Sequence, residues 1–182
     1  MISKKMESAL NEQINKEMYS AYLYMAMSAD ASDKGFEGFA RWFMVQYHEE
    51  MFHAMKFYEY VNDQGGKVVL KAIQEPPAEF DSIQDMFEKT LEHEQFVTKS
   101  INELVDLAIE EKDHATHHFL NWYVEEQVEE EKNDHDMLAK LAMISGDKQG
   151  HGLYMLDKEV GSRGLDIPSD FSQEGFTKGV ES

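Results

Sequence analysis

Apolar residues recur every three to four positions along four long stretches of the chain, and polar residues fill the positions between them. This period places the apolar side chains on one face of an α-helix and predicts four long amphipathic helices. Gly35 and the pair Gly65-Gly66 mark the ends of the first two, because glycine terminates helices. The predicted helices cover residues 4–31, 36–64, 83–110 and 116–144, and a shorter amphipathic helix covers 152–160.

The segment between the second and third helices, residues 67–80, is predicted to be non-helical because Pro76 and Pro77 cannot continue a helix. Helices of about 28 residues are about 42 Å long, and this segment is long enough to run back along them. Two short turns and one long crossover predict an all-α fold, a four-helix bundle of two hairpins with a short fifth helix. We expect one domain over residues 1–165 and a loosely held, Ser/Gly-rich tail over 166–182.

The apolar face of each predicted long helix is interrupted near its midpoint by an acidic or amide side chain. In the second helix, Glu50 and His53 lie one turn apart between Phe43 and Phe57. Helix midpoints meet in an antiparallel bundle, and burying an ionised carboxylate without a partner costs several kcal/mol. A metal ion would offset this cost, and a set of carboxylates with one imidazole favours iron or manganese. The polar positions on the other three helices are Glu17, Glu94, Gln127 and Glu130.

The composition narrows the range of partners. The chain carries 36 acidic and 17 basic residues, a formal net charge of −19. This charge disfavours nucleic acid and anionic membranes, which require a basic surface, and suits a protein that attracts cations. An acidic surface that serves only solubility is the alternative interpretation. Cysteine is absent, which excludes disulfides and thiolate metal sites and favours the reducing cytoplasm. No apolar run is long enough for a signal peptide or a membrane span, so we expect neither.

Longer segments around the polar positions carry a recognisable pattern: Glu17, Tyr24, Glu49-Glu50-x-x-His53, His93-Glu94 and Trp122-Tyr123-x-x-Glu126-Gln127-x-x-Glu130. In these segments the chain resembles the ferritins, and most closely the bacterial non-haem ferritins. The resemblance covers residues 1–160, including the crossover and the short fifth helix. It implies a ferritin-like bundle and an iron storage protein with ferroxidase activity, which uses oxygen or hydrogen peroxide. It also implies self-association into a homo-oligomeric shell of twenty-four subunits.

The resemblance also implies roles for individual residues. Glu17, Glu50 and His53 would bind a first iron ion, and Glu50 would bridge to a second ion of a diiron centre. Tyr24 would lie beside this centre as a hydrogen-bonding and electron-donating group. The other ligands of the second ion would be Glu94 and either Gln127 or Glu130. A third iron site next to the centre would be formed by Glu49, Glu126, Glu129 and Glu130.

Some of these positions allow a second interpretation. Gln127 could coordinate metal directly or donate a hydrogen bond to a ligand. Haem-containing relatives carry a second Glu-x-x-His where this chain has Gln127 and Glu130, so the second iron would be held more weakly, by oxygen ligands only. That asymmetry suits iron in transit to storage. Met51 stands where those relatives carry an axial methionine, but in a chain with twelve methionines we expect packing there and no haem.

Glu126 and Glu129 could also belong to an exposed acidic face. Three histidines near the start of the fourth helix could line an entry path for iron or simply face solvent: His114, His117 and His118. A diiron peroxidase or oxidase of the rubrerythrin kind, without storage, is the main alternative function, although such proteins often carry a Cys-rich iron domain. A miniature ferritin that protects nucleic acid would need basic termini and ligands shared between subunits. A helical scaffold without metal is the remaining alternative.

Overall fold

The computed structural model describes residues 1–144, 146 and 150–164, and within them the only regular elements are five α-helices. The predicted all-α fold is therefore confirmed, and every helix begins and ends within two residues of its expected bounds. The predicted tail over 166–182 lies outside the described residues. No helix in the described part of the chain combines the length and apolar character that a membrane crossing requires. The helices are α1 (Lys4–Asp33), α2 (Glu37–Asp63), α3 (Ile83–Glu110), α4 (His114–Ile144) and α5 (His151–Val160).

Side chains next to the helices fix where three of them begin. The hydroxyl of Ser3 accepts a hydrogen bond from the backbone N–H of Met6, and that of Ser82 accepts one from Asp85. The carboxylate of Asp113 accepts from the backbone N–H of Thr116 at 3.0 Å. Each such cap contributes about 1 kcal/mol to helix stability. The Asp113 cap explains why α4 begins at His114, two residues before its expected start.

The crossover from α2 to α3 runs along α1, as its length predicts. Near its beginning, the Asn11 side chain donates to the carbonyl of Lys67 at 3.0 Å and accepts from the N–H of Val69 at 2.6 Å. At its end, the N–H of Phe80 donates to Asp30 at 3.1 Å. These contacts lie almost twenty residues apart along α1. The crossover therefore spans the bundle and lets the α3–α4 hairpin pack beside the α1–α2 hairpin.

The bundle has two hydrophobic clusters with a polar layer between them. One cluster includes Phe43 and Phe87, whose ring centroids lie 5.1 Å apart. The other includes Phe57 and Tyr123, whose rings stack at 4.0 Å. Aromatic pairs of this kind add about 0.5–1.5 kcal/mol beyond the area they bury. These rigid layers hold the buried polar side chains between them: Glu17, Gln46, Glu50, His53, Glu94, Gln127 and Glu130.

Helix α5 packs across the beginning of α2. Its Asp157 carboxylate accepts a hydrogen bond from the backbone N–H of Phe39 at 3.0 Å, which satisfies a free donor in the first turn of α2. Gly38 permits this contact, because a Cβ atom there would lie 1.7 Å from the Asp157 carbonyl oxygen. Leu156 and Val160, on the inner face of α5, are buried. The close approach fixes the position of the residues that follow α5.

Candidate metal centre

Three of the predicted ligands meet inside the bundle. Glu17 on α1 and Glu50 and His53 on α2 each offer a ligand atom, and these atoms lie within 4.8 Å of one another. Nδ1 of His53 lies 3.5 Å from Oε2 of Glu50. All three residues are at most 2% exposed. Among the described residues, no other group of His, Asp or Glu side chains meets as closely. The arrangement suits a cation with oxygen and nitrogen ligands.

The hydrogen bonds of these carboxylates leave room for a metal. Oε1 of Glu17 accepts a hydrogen bond from Nε2 of Gln13 at 2.7 Å. No N–H or O–H group of the described residues donates to Oε2 of Glu17 or to Oε2 of Glu50. Buried carboxylate oxygens are normally satisfied, so two such oxygens beside one imidazole form a group that could hold a cation. These unsatisfied oxygens are the structural evidence that the residues fit a metal.

Burial sets the charge state of this group. It raises the pKa of Glu17 to about 7, although the hydrogen bond from Gln13 and the neighbouring Glu50 carboxyl partly oppose the rise. It raises the pKa of Glu50 well above its usual value, and the charges of Glu94, Glu17 and Glu130 raise it further. Burial lowers the pKa of His53 to about 3, so the imidazole is neutral and able to ligate. Near neutral pH Glu17 is therefore partly protonated, and a metal ion that binds here would have to displace this proton.

Glu94 lies on α3 and faces the same polar layer. The Tyr24 hydroxyl donates a hydrogen bond to one of its oxygens, and Nε2 of Gln127 donates to the other at 3.0 Å. Burial raises the pKa of Glu94 to about 7, while both hydrogen bonds act to lower it. The structure thus shows Gln127 as a hydrogen-bond donor to a predicted ligand. Tyr24 is completely buried and stacks against Phe43 at 6.4 Å.

Glu130 and a residue that the sequence analysis missed complete the buried acidic group on α4. Glu130 accepts a hydrogen bond from Nε2 of Gln46 at 3.0 Å, and burial with the charge of Glu94 raises its pKa to about 8. Asp134 is 2% exposed, its Oδ2 has no hydrogen-bond partner among the described residues, and burial raises its pKa to about 9. Asp134 follows Glu130 by four residues, which places both on the same face of α4. This spacing is the feature of the sequence that could have indicated Asp134 as part of the buried group.

The residues of the predicted third site differ in burial. Glu130 is buried, Glu49 and Glu126 are half-buried, and Glu129 is exposed. The charge of Glu126, four residues earlier on α4, contributes to the raised pKa of Glu130. Oε2 of Glu49 accepts a hydrogen bond from Nη2 of Arg163 at 2.8 Å. No pattern in the sequence could have indicated Arg163, because it lies 114 residues from Glu49.

A hydrogen-bonded chain connects Glu17 to the surface between α1 and α3. Nζ of Lys16 donates to Oγ of Ser100 at 2.5 Å, and this hydroxyl donates to Oε1 of Gln13 at 2.5 Å. The amide nitrogen of Gln13 then faces Glu17. Because the amide oxygen is occupied by Ser100, the amide is held with its N–H groups towards the carboxylate. On the opposite side, the Tyr123 hydroxyl donates to the carbonyl of His53 at 2.9 Å.

Other positions singled out in the sequence lie away from the buried group. His114 and His118 are exposed and His117 is half-buried. Met51 is half-buried on α2. His93, next to Glu94, forms a 2.7 Å hydrogen bond with Ser20 through Nε2. It therefore supports the packing of α1 against α3.

Comparisons with known proteins agree with this architecture. A family model described as a ferritin-like domain matches residues 7–144. The chain is 44% identical to "Probable bacterial non-heme ferritin-like protein" of Haemophilus influenzae over 162 residues, 89% of this chain and 97% of the relative. It is also 44% identical to "Bacterial non-heme ferritin" of Staphylococcus saprophyticus over 166 residues, 91% of this chain and 98% of the relative.

The fold has solved counterparts. A structure described as a novel open pore ferritin from the archaeon Archaeoglobus fulgidus matches with a TM-score of 0.88 and 51% identity, covering 90% of this chain and all of that one. The resemblance to bacterial non-haem ferritins inferred from the sequence is confirmed, as is the ferritin-like bundle. With a matching domain, close relatives over most of its length and a buried group of carboxylates and histidine that could hold a metal, the chain belongs to the ferritin family.

Proposed function

We propose that this protein stores iron and oxidises Fe(II) at a diiron centre inside the bundle. The observation that carries the proposal is the buried group of Glu17, Glu50 and His53, whose ligand atoms lie within 4.8 Å of one another in a member of the ferritin family. Two unsatisfied carboxylate oxygens in this group support the same assignment. Iron is the substrate here: it binds, is oxidised and moves on to the mineral.

The ligand set proposed for each ion follows from the helices that meet at the polar layer. Glu17, Glu50 and His53 bind the first Fe(II). Glu50 bridges to the second; its buried carboxyl is the one in the first group whose pKa the charges of both Glu94 and Glu130 raise, which supports this role. Glu94 and Glu130 supply the other oxygens, and Gln127 either orients Glu94 or rotates its amide oxygen towards the ion. Without a second imidazole, the second ion is held more weakly, which suits iron that passes through.

The surrounding carboxyl groups supply protons that the reaction consumes. Each Fe(II) gives up one electron, so two ions reduce O₂ to H₂O₂, or H₂O₂ to water, and either reduction consumes two protons. Glu17 and Glu94 have pKa values of about 7 and release protons to the site as metal binds. Tyr24 donates a hydrogen bond to Glu94, which supports its proposed role as a hydrogen-bonding and electron-donating group beside the centre.

Storage requires an assembly, and the composition supports one with an acidic interior. We propose that twenty-four subunits form a hollow cytoplasmic shell, and that Fe(III) leaves the diiron centre through the third site for an oxyhydroxide mineral. Glu49, Glu126, Glu129 and Glu130 form that site. The net charge of −19 favours cation uptake into such a shell. The relatives named bacterial non-heme ferritin and the archaeal open pore ferritin support this assignment.

The test is anaerobic addition of Fe(II) followed by oxygen, monitored by absorbance and by size-exclusion chromatography. The proposal predicts a shell-sized particle that retains far more than three iron ions per chain. His53→Ala should slow rapid oxidation and leave the shell assembled, because it removes the one imidazole ligand. His48→Ala is the matched control: it lies on the same helix, is exposed, and should oxidise iron at the wild-type rate.

Three results would overturn parts of the proposal. A small oligomer that saturates at two iron ions would exclude storage and favour the peroxidase or oxidase of the rubrerythrin kind. Unchanged rapid oxidation in His53→Ala would exclude this centre as the site of oxidation. Peroxide consumption over many turnovers, with the iron held in place, would also favour a peroxidase of the rubrerythrin kind over storage.

A further inference from the structure

Arg163 reaches the edge of the buried acidic group from outside the four-helix bundle. Its backbone N–H donates to the carbonyl of Val160 at 3.1 Å, so it belongs to the turn that ends α5. Helix α5 is itself fixed to α2 through Asp157 and the close approach at Gly38. The guanidinium group is therefore delivered to α2 by a rigid element.

The guanidinium contacts three successive turns of α2. Its carbon lies 4.9 Å from the centre of the Trp42 ring, Nη1 donates to Oε1 of Gln46, and Nη2 donates to Oε2 of Glu49 at 2.8 Å. The side chain of Glu49 is 12% exposed and that of Arg163 is 25% exposed. The ion pair is thus sheltered from water. Charged groups in such a sheltered position interact more strongly than those at an open surface.

The same charge acts on the carboxyls of α4. Arg163 lowers the pKa of Glu130 and of Asp134, in opposition to the effect of burial. Gln46 connects the two sides, since its amide oxygen accepts from Arg163 while its amide nitrogen donates to Glu130. One guanidinium group therefore faces carboxyls from α2 and α4 that include two ligands of the proposed third iron site.

We propose that Arg163 is a tethered cation that occupies the third cation position in the metal-free chain, and that a metal ion must displace it to bind there. This inference rests on the proposed function, because the third position belongs to the iron path described above. A metal ion bound to Oε2 of Glu49, at the about 2.0–2.2 Å usual for such a bond, would lie close to the guanidinium group, and the two positive charges repel each other in this sheltered position. Arg163 therefore weakens the third position relative to the diiron centre and favours filling of the centre first.

Displacement has a consequence for the indole of Trp42. When the guanidinium group leaves Glu49, it also leaves the face of this ring. Occupation of the third position should therefore change the environment of Trp42. The ring centre of the other tryptophan, Trp122, lies 5.4 Å from that of His53, so this residue reports on the diiron centre instead. The two tryptophans thus distinguish the two parts of the site.

The first experiment is calorimetric titration of the metal-free, assembled protein with Zn²⁺, which is not oxidised. Wild-type protein should show two stronger binding events per chain and a weaker third. Arg163→Gln should tighten the third event about tenfold and change the first two by less than about twofold, a gain equivalent to about 1.4 kcal/mol. Adding Glu49→Gln to this variant should abolish the gain, because it removes the shared oxygen.

The matched control is Lys140→Gln. It also neutralises a cation beside α5, the one paired with Glu159 at 2.8 Å, but it lies outside the acidic group. It should leave all three events unchanged. A third event of unchanged or lower affinity in Arg163→Gln would overturn the inference, as would the absence of a third event from every variant. Loss of the two stronger events would instead overturn the diiron centre, so failure of the proposed function is recognised separately.

The second experiment follows Trp42 fluorescence in a Trp122→Phe background. Emission should change as the third equivalent of Zn²⁺ binds, and Arg163→Gln should remove this change. Emission that changes equally with and without Arg163 would show that the guanidinium group does not move. Circular dichroism of each variant checks that the bundle is intact.

Discussion

Replacement of Glu17 by glutamine tests the electrostatic cost of the buried group. Glutamine has the size of glutamate, and its amide oxygen can still accept the hydrogen bond from Gln13. The substitution removes a charge that burial makes unfavourable in the metal-free chain. We therefore expect Glu17→Gln to stabilise the metal-free protein while it impairs metal binding.

The size of this effect follows from the pKa of Glu17, which rises from 4.5 in the unfolded chain to about 7 in the fold. A carboxyl with a raised pKa in the folded state costs nothing below pH 4.5, where both states are protonated. The cost grows as pH rises towards 7 and is then constant. Linkage gives a gain in free energy of unfolding of about 3 kcal/mol at pH 8 and less than about 1 kcal/mol at pH 5.

The assay is thermal unfolding of chelator-treated protein, followed by circular dichroism at fixed protein concentration and heating rate. For a chain of this length, about 3 kcal/mol corresponds to a rise in midpoint of about 6–12 °C at pH 8. Zn²⁺ at a hundredfold excess over its dissociation constant should then stabilise the wild type by about 2.7 kcal/mol and nearly cancel the difference.

The control for this prediction is Glu92→Gln on α3, where the glutamate is exposed. Its midpoint should stay close to that of the wild type at both pH values. An equal rise for Glu17→Gln at pH 5 and pH 8 would mean that helix propensity, and not charge burial, is responsible. No rise at pH 8 would refute the reasoning.

Three further predictions concern other parts of the layer and its support. Asp134→Asn should stabilise the metal-free chain by about 2–4 kcal/mol at pH 7, because burial raises the pKa of Asp134 to about 9. Urea unfolding measures this gain, and its absence would contradict the raised pKa. Tyr24→Phe removes a hydrogen bond that lowers the pKa of Glu94, so Zn²⁺ binding measured by calorimetry should weaken several-fold at pH 6.5 and less at pH 9. An equal loss at both values would contradict the protonation argument. Gly38→Ala should lower the thermal midpoint and expose α5 to proteolysis, because its Cβ meets the Asp157 carbonyl; wild-type behaviour would contradict the close packing.

The predicted ligands on α1 and α2 could be identified because their signal is local. Glu50 and His53 interrupt an apolar face within one turn, and helical geometry alone places both on the buried side. The same holds for Glu17 and Glu94 at the midpoints of their helices. The crossover prolines and the glycines at the helix ends then determine that four helices lie side by side with these midpoints at one level.

Asp134 shows the limit of that approach. Its distance from Glu130 fits the same face, but a carboxylate on a helix is more often solvated, and only the tertiary structure shows that Asp134 is buried. Gln127 is a similar case. Its type and spacing allow either coordination or hydrogen bonding, and the position of Glu94 on α3 decides that the amide donates in this structure.

The sequence by itself determined the helices, their order, the family and the polar layer, because each depends on periodicity and on residues a few positions apart. Only the tertiary structure decided which oxygens lack a partner, which carboxyls raise one another's pKa values, and that Arg163 pairs with Glu49. These properties depend on distances between side chains from separate helices. Such distances follow from packing, which local spacing along the chain does not encode.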